Sequence, residues 1–392
     1  MNNIKPILSY VVLTRNRINT LRKTLCKILE QSKGFSSEIL VIDNASEDNT
    51  CEMIEKEFPE IRFFRNKLNL GAEARNIGIN KSRAKYICML DDDSYPLNNS
   101  IVKGINILEK NPKAGCLAYK IEMPGKKFWT NALYNSYAGC GALFRKNALL
   151  KVGGYPQDYG YYVEEYDVSF RLIAAGFKIL NKKDLVVFHE QASSGRDLNR
   201  IISLLVKNNI RLYSKFFPSE LAMKQIRHEI MRYGIIAEKE KTVEGYIKGL
   251  ESSFSSFDLT GKNILPLKVC YKILGLDETN KRLADFIRKY SVKKTLIYNI
   301  GKITHLIIEK IRSLGCEVVA VVDKNAKFYD TGFSQEKVIS FSEIGKESFD
   351  SIICGSSSLI ENDVIQESLK KNPKFKKVPF LRLCDYDRSN YG

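Results

Sequence analysis

Four short apolar, β-branched runs, each separated from the next by a stretch of helical period, set the strongest constraint on this chain. Residues 7–13 form the first run. Leu21, Leu25, Ile28 and Leu29 then recur at the spacing of one helix face. Residues 38–43 form the second run, and Asp48 stands where it can cap a helix carrying Cys51, Ile54 and Phe58 on one side. Residues 61–64 and 85–90 form the third and fourth, with a short helix expected over 72–80 between them. Strands that alternate with helices imply an α/β fold built on a mainly parallel sheet with helices on both faces. Such sheets bind ligands at the carboxyl ends of their strands. Thr14, Asp43 and Asp91, Asp92 and Asp93 all fall there.

The pattern changes further along. Residues 197–257 read as helical and basic, and 254–266 read as a linker. Alternation restarts near Lys294, with strand-like runs at 295–300, 316–322 and 351–354 and a helical stretch at 303–313. The expected organisation is a catalytic domain over 1–195, a helical extension and linker over 196–289, and a small Rossmann-like α/β domain over 290–392. In that last part only Gly301 survives where a dinucleotide-binding loop wants several glycines. Asn299 and Thr304 occupy the other positions, and Asp323 ends the next strand at the ribose-binding spacing. The expectation is a Rossmann-like fold that binds NAD poorly.

Composition narrows the partners. Lys and Arg number 62 against 45 Asp and Glu, a net charge of +17, which favours polyanions such as nucleotide phosphates, nucleic acid or an anionic membrane surface. No apolar run reaches the ~20 residues of a membrane span. The nine cysteines include no CxxC pair, so buried thiols are favoured over structural zinc or disulfides. The basic run from Arg196 through residues 199–218 mixes Lys and Arg with Ile, Leu, Tyr and Phe. It suits either an anionic membrane surface or a helix packed on the protein.

Chemistry concentrates at Asp91–Asp93. Three carboxylates after a buried strand repel one another unless something compensates; a divalent cation does so, and Mg²⁺ or Mn²⁺ favours carboxylates together with phosphate oxygens. The alternative is a solvated acidic turn. Asp43, ending another strand, can accept hydrogen bonds from a base or ribose, or can close an Asx-turn. Arg75 can pair with phosphate or with an aspartate of the site. Asp167 and Arg171 stand at i, i+4 spacing and can pair.

The segments VVLTRNR, VIDNASEDNT, NLGAEARNIG, MLDDDSYP, AGCGALFRKNALLKVGGY and EEYDVSFRLIAAG together resemble the inverting glycosyltransferases of family 2, which have the GT-A fold. They occur in the family's order over residues 9–191, about half the chain, and look most like bacterial members that build surface polysaccharides, including rhamnosyltransferase-like enzymes. The resemblance implies that Thr14, Arg15, Asp43 and Arg75 hold the nucleotide. Asp91 and Asp93 match the two ends of the DxD motif, with Asp93 on the metal, Asp91 at the ribose or a metal-bound water, and Asp92 in the variable middle. His189, after a strand-like run at 185–188, matches a metal-binding histidine. Glu165 takes the general-base position, where the family usually has Asp, and Glu164 is its neighbour and second candidate. Mn²⁺ or Mg²⁺ is the implied cofactor. Further implications are a nucleotide-diphosphate-sugar donor and a glycan or lipid-linked acceptor; the C-terminal unit is expected to organise a homo-oligomer or take a small ligand, and the expected location is cytoplasmic, peripheral at the inner face of the membrane.

Two other readings compete. A nucleotidyltransferase also uses paired aspartates on an α/β sheet, but it usually carries a glycine-rich phosphate loop, and LTRNRINT has no glycine. A basic nucleic-acid-binding protein fits the charge, but no RNA-recognition, zinc-finger or helix-turn-helix signature is present, so nucleic acid is not expected as a partner.

Overall fold

The computed structural model describes residues 5–125, 127–129, 132–190, 197–255, 261, 263–329, 332–356 and 359–383. Over these residues the chain divides into two compact units. The first runs to residue 190, and the second covers 197–383 together with 132–134. Gln191, Arg196 and linker residues 256–260 and 262 lie outside the described residues.

The first unit runs β1 (Leu8–Thr14), α1 (Ile18–Gln31), β2 (Ser37–Asp43), α2 (Thr50–Glu57), β3 (Arg62–Arg65), a 3-10 turn at Gly71–Ala74, α3 (Arg75–Lys81) and β4 (Tyr86–Asp91). It continues with β5 (Ser94–Leu97), α4 (Ser100–Lys110), β6 (Ala114–Met123), β7 (Lys127–Trp129), β8 (Gly141–Arg145), α5 (Lys146–Lys151), α6 (Glu164–Ala174) and β9 (Lys178–His189). The sheet order is β3-β2-β1-β4-β8-β6-β9-β5, with β7 on β6. Every residue of β1 is buried, as a strand covered on both faces must be. Tyr10, Val12, Leu25, Ile28, Cys88 and Leu90 are part of the core on one side of the sheet.

Strands β3, β2, β1 and β4 are parallel, and β1 lies between β2 and β4, so the direction of winding reverses there. The register sets Thr14 opposite Asp43 and Leu13 opposite Asp91. This brings the polar strand ends together at the crevice where such sheets bind ligands. The far half is less parallel than the alternation implied. Strand β8 runs antiparallel to β4 and β6, and β5 antiparallel to β9. Only Asp92 and Asp93 separate β4 from β5, yet β5 pairs with β9 at the far edge rather than with β4, while β6 and β9 run parallel.

Local details depart from expectation in two places. Asn49, not Asp48, is the N-cap of α2, and it makes no capping side-chain bond. Asp48 acts one position further out: its carboxylate accepts from the amides of Thr50 at 3.2 Å and Ile18 at 3.3 Å, which ties the starts of α1 and α2. The helix expected over 72–80 divides into the 3-10 turn and α3.

The second unit holds α7 (Leu198–Phe216), α8 (Ser219–Glu240), α9 (Val243–Phe254), α10 (Leu267–Leu274) and α11 (Leu276–Tyr290). Then follow β10 (Lys294–Tyr298), α12 (Thr304–Ser313), β11 (Glu317–Val322), β12 (Val338–Ile339), β13 (Ser351–Cys354), α13 (Leu359–Lys371) and β14 (Phe380–Leu381). The five strands are all parallel in the order β12-β11-β10-β13-β14. The basic run falls on α7, where Asp197 caps the first turn and Ile202, Val206, Ile210 and Tyr213 are buried. Among the described residues no helix is long and apolar enough to cross a membrane.

Candidate active site

Strand β4 delivers its three aspartates into three different environments. Asp93 is 2 % exposed, and its carboxylate lies 3.0 Å from His189 Nε2 and 3.1 Å from Arg17 Nη1. Asp92 is also buried, but its oxygens are turned elsewhere, accepting from Thr14 Oγ1 at 2.9 Å and Arg17 Nη1 at 2.9 Å. Burial pushes the Asp92 carboxyl up to about 6, against the opposing pull of Arg17. Asp91 is more open and accepts from Arg75 Nη2 at 2.5 Å. Asp91, Asp93 and His189 each offer a ligand atom within 4.8 Å of the others. Strand β9 brings the histidine there through the antiparallel pairing of His189 with Ser94.

Two carboxylates and an imidazole, one of the carboxylates almost wholly buried, are a donor set that fits a divalent cation. Asp92 is spent on holding Thr14 and Arg17 rather than facing the other donors.

Arg75 joins this cluster to the glutamates of α6. It is almost completely buried at the start of α3, and its Nη1 lies 3.8 Å from Glu164 Oε1. Its guanidinium also lies over the Tyr155 ring, 5.4 Å from the centroid. The Arg75 Nε and Nη1 and the Glu164 Oε2 are buried without a hydrogen-bond partner. Burial, reinforced by the neighbouring Glu165 charge, raises the Glu164 carboxyl to about 8. Glu165 is half-buried, and Ser169 Oγ donates to its backbone carbonyl at 2.6 Å.

The α6 start is held by an uncommon backbone. Tyr162 and Val163 both have positive φ, 70° and 75°. That region is disfavoured for a non-glycine residue, most of all for a β-branched one, and such strain persists only where the surroundings enforce it. Here Ala72 N donates to the Gly160 carbonyl at 2.7 Å, and Gly71 has φ +63°. A Cβ on Gly71 would lie 2.4 Å from the Gly160 oxygen, so only glycine lets the two loops meet. Asn44 braces the same place, donating to the Gly71 carbonyl at 3.1 Å and Tyr161 Oη at 3.2 Å. Further along α6, Arg171 Nε and Asp167 Oδ1 pair at 2.6 Å.

Asp43 and Arg15 are engaged by neighbours outside the acidic cluster. Asp43 is fully buried and accepts from the Ser46 amide at 3.2 Å, with Arg65 Nε at 3.6 Å, so it closes the turn after β2. Arg15 is half-exposed and pairs with Glu47 at 3.4 Å. Sequence reasoning missed Arg17, which contacts both buried aspartates. Its signal was present: an arginine three residues beyond the end of a strand, at the first residue before α1.

Comparison with known proteins gives two family matches. Residues 9–160 match the family described as "Glycosyl transferase family 2", and residues 291–373 match that described as "C2185-like, N-terminal". An uncharacterized glycosyltransferase of Rickettsia bellii is 32% identical over 105 residues, 26% of this chain and 15% of its own. The poly-beta-1,6-N-acetyl-D-glucosamine synthase of Staphylococcus epidermidis is 28% identical over 196 residues, 44% of this chain and 47% of its own. The chain thus spans less than half the length of either relative. The solved structure of the mannosyltransferase PcManGT from Pyrobaculum calidifontis, in complex with GDP-Man and Mn2+, has a TM-score of 0.46 and 17% identity, covering 66% of this chain and 78% of that one. The expected GT-A fold is borne out by the first unit, whose parallel strands end in Asp43 and Asp91. Over residues 9–160 the chain matches glycosyl transferase family 2.

Proposed function

We propose that the chain moves a sugar from a nucleotide-diphosphate sugar to a hydroxyl of a glycan or lipid-linked acceptor, with inversion, in the synthesis of bacterial surface polysaccharide. The observation that carries this reading is the continuous polar path from Asp93 and His189 through Asp91 and Arg75 to Glu164, the residue next to Glu165. The match to a polysaccharide synthase supports the acceptor class.

The roles follow from position. Asp93 and His189, with Asp91, would hold Mn²⁺ or Mg²⁺, which supplies positive charge for a departing diphosphate. Arg75 carries a buried positive charge with donors to spare, suited to the phosphates or the sugar. Thr14, Arg15, Asp43 and Asp92 complete the nucleotide side, Thr14 and Asp92 by fixing each other. Glu165 is the more accessible of the two α6 glutamates and takes the proton of the acceptor hydroxyl. The hydroxyl oxygen then bonds to the anomeric carbon on the face opposite the leaving diphosphate. A single displacement inverts that carbon. Glu164, pressed against Arg75, tunes and positions rather than accepts. We assign this chemistry to residues 1–195, with 196–289 as a helical extension and 290–392 as the Rossmann-like part.

A donor screen with Mn²⁺ or Mg²⁺, reading nucleoside diphosphate release, tests the proposal. Release of pyrophosphate instead would favour a nucleotidyltransferase. Salt-sensitive nucleic-acid binding without any donor turnover would favour a nucleic-acid-binding protein.

A further inference from the structure

The loop between β1 and α1 carries a charge to which the transfer reaction assigns no part. Arg17 is the N-cap of α1, and its backbone carbonyl accepts from the Leu21 amide at 2.9 Å. Asn16, just before it, has φ 52°, a region that asparagine tolerates better than most residues. The Asn16 amide donates to Ser46 Oγ at 2.9 Å, and its side-chain oxygen accepts from the Glu47 amide at 2.7 Å. The loop is thus tied to the one that follows β2, and from this anchored position Arg17 reaches the end of β4.

One nitrogen there serves two carboxylates. Arg17 Nη1 donates to Asp92 Oδ1 at 2.9 Å and to Asp93 Oδ2 at 3.1 Å. Both aspartates are buried, whereas the arginine side chain is 31 % exposed. Each carboxylate is held at both ends. Thr14 Oγ1 donates to Asp92 Oδ2 at 2.9 Å, and His189 Nε2 lies 3.0 Å from Asp93 Oδ1. Asp91 is divided in the same way, since its Oδ1 accepts from Arg75 Nη2 at 2.5 Å.

This division bears on which cation the cluster admits. Ca²⁺ gathers roughly 6–8 oxygens and often takes both from one carboxylate. Mg²⁺ demands a near-octahedral shell and settles on one or two carboxylates together with water and phosphate oxygens. A dication is repelled from an oxygen that already faces a guanidinium, because like charges so close oppose each other strongly. Arg17 therefore withdraws Asp93 Oδ2 and Asp92 Oδ1 from the donor set. Asp93 is left to offer Oδ1, the oxygen on the His189 side.

We propose that Arg17 is a positioning residue that determines metal specificity: by holding one oxygen of Asp93 and one of Asp92, it restricts the site to single-oxygen carboxylate ligands and so selects a small octahedral cation over Ca²⁺. The proposal rests on the reading of Asp91, Asp93 and His189 as the ligands of a divalent cation. Loss of Arg17 returns two oxygens to the cluster and opens it to the larger ion.

Isothermal titration of the full-length chain with Mn²⁺ and with Ca²⁺, free of nucleotide, tests this. Removing a positive charge strengthens the binding of both dications alike, so the ratio of the two dissociation constants isolates the effect of ligand geometry. Arg17→Met should narrow the preference for Mn²⁺ over Ca²⁺ by roughly 10-fold, the scale for groups that orient metal ligands. Arg17→Lys keeps the charge but puts a point donor in place of the planar fork, and it should narrow the preference by a smaller factor. It also carries the test if the methionine variant, which leaves two buried carboxylates without their cation, does not fold. No preference in the wild-type chain, or one unchanged in every folded variant, would overturn the proposal and leave the metal reading standing. Uptake of neither ion by the wild-type chain, or uptake that Asp93→Ala does not weaken, would overturn the metal reading and the proposal together.

Discussion

The two sheets of this chain meet the same topological opportunity and use it in opposite ways. Each reverses its winding beside a central parallel strand and so opens a crevice at its carboxyl edge. In the first unit that edge gathers charges and leaves some unanswered: Arg75 keeps two buried nitrogens without partners and Glu164 an oxygen. In the second, Lys302, in the loop between β10 and α12, finds the Glu229 carboxylate and the Asn209 amide of the same unit, and Asp323 is occupied by backbone amides. Buried polar groups are nearly always satisfied in folded proteins, because an orphan costs about 1–3 kcal/mol. The second edge also keeps orphans, but on the imidazoles of His228 and His305, whereas the first keeps them on a guanidinium and a carboxyl, the groups that a charged ligand answers.

The contrast can be broken most forcefully at the buried pair. Lys302→Met alone should cost about 3–5 kcal/mol in denaturant unfolding of the second unit, because it strands a buried charge. Lys302→Met with Glu229→Leu should recover most of that loss, and sugar transfer should be unchanged in the double variant. If the double variant loses turnover, the two edges serve one function and the contrast fails.

At the other edge, Asp93→Ala should lower transfer by on the order of 10²–10³-fold while the chain stays folded, matching the loss of charge stabilisation at a reacting centre. Isothermal titration with Mn²⁺ provides a readout apart from turnover, and full activity in excess chelator would refute the metal role. Glu165→Gln should follow with a loss of roughly 10²-fold in turnover and donor binding nearly unchanged. Should Glu164→Gln be the crippled variant instead, the proton acceptor is the buried glutamate.

The smallest expected effect is also the sharpest for the comparison, because its sign differs between units. Burial lowers His228 from 6.5 to about 4. Its neutral form is the one that folds, so the second unit loses stability as pH falls from 6.5 towards 4, by on the order of 3 kcal/mol. Glu229, lowered from 4.5 to about 2, extends that loss below pH 4.5. Glu164 is raised instead, so its contribution is present at low pH and is lost as pH rises from 4.5 through about 8. Hydrogen exchange resolved by segment across pH 4–8 should show opposite trends in the two units, and His228→Asn should flatten the acid limb. Parallel trends would mean that neither group governs its unit.

Much of this was legible in the sequence because it depends on short-range pattern. The runs at 7–13, 38–43 and 85–90 became β1, β2 and β4 within a residue or two, and 351–354 became β13. The mixed half of the first sheet was not legible in the same way. Strand β8 is a five-residue apolar segment whose direction is set by a partner more than fifty residues away in sequence, pairing Tyr86 with Arg145. The basic run on α7 admitted two readings, and its buried Ile202, Val206 and Ile210 answer for packing.

The sequence by itself determined the order of strands and helices and which carboxylates stand at strand ends, because apolar periodicity and backbone propensity act over three or four residues. Tertiary structure alone decided what each charge is for. Asp91, Asp92 and Asp93 are chemically identical neighbours, yet one meets Arg75, one is spent on Thr14 and Arg17, and one turns to His189. Glu164 is buried beside its half-open neighbour Glu165, because successive residues of the helix face different surroundings. Lys302 finds Glu229 across 73 residues. No local pattern encodes such pairings, since register and helix packing set the distance over which two charges meet, and that distance together with burial sets their energy.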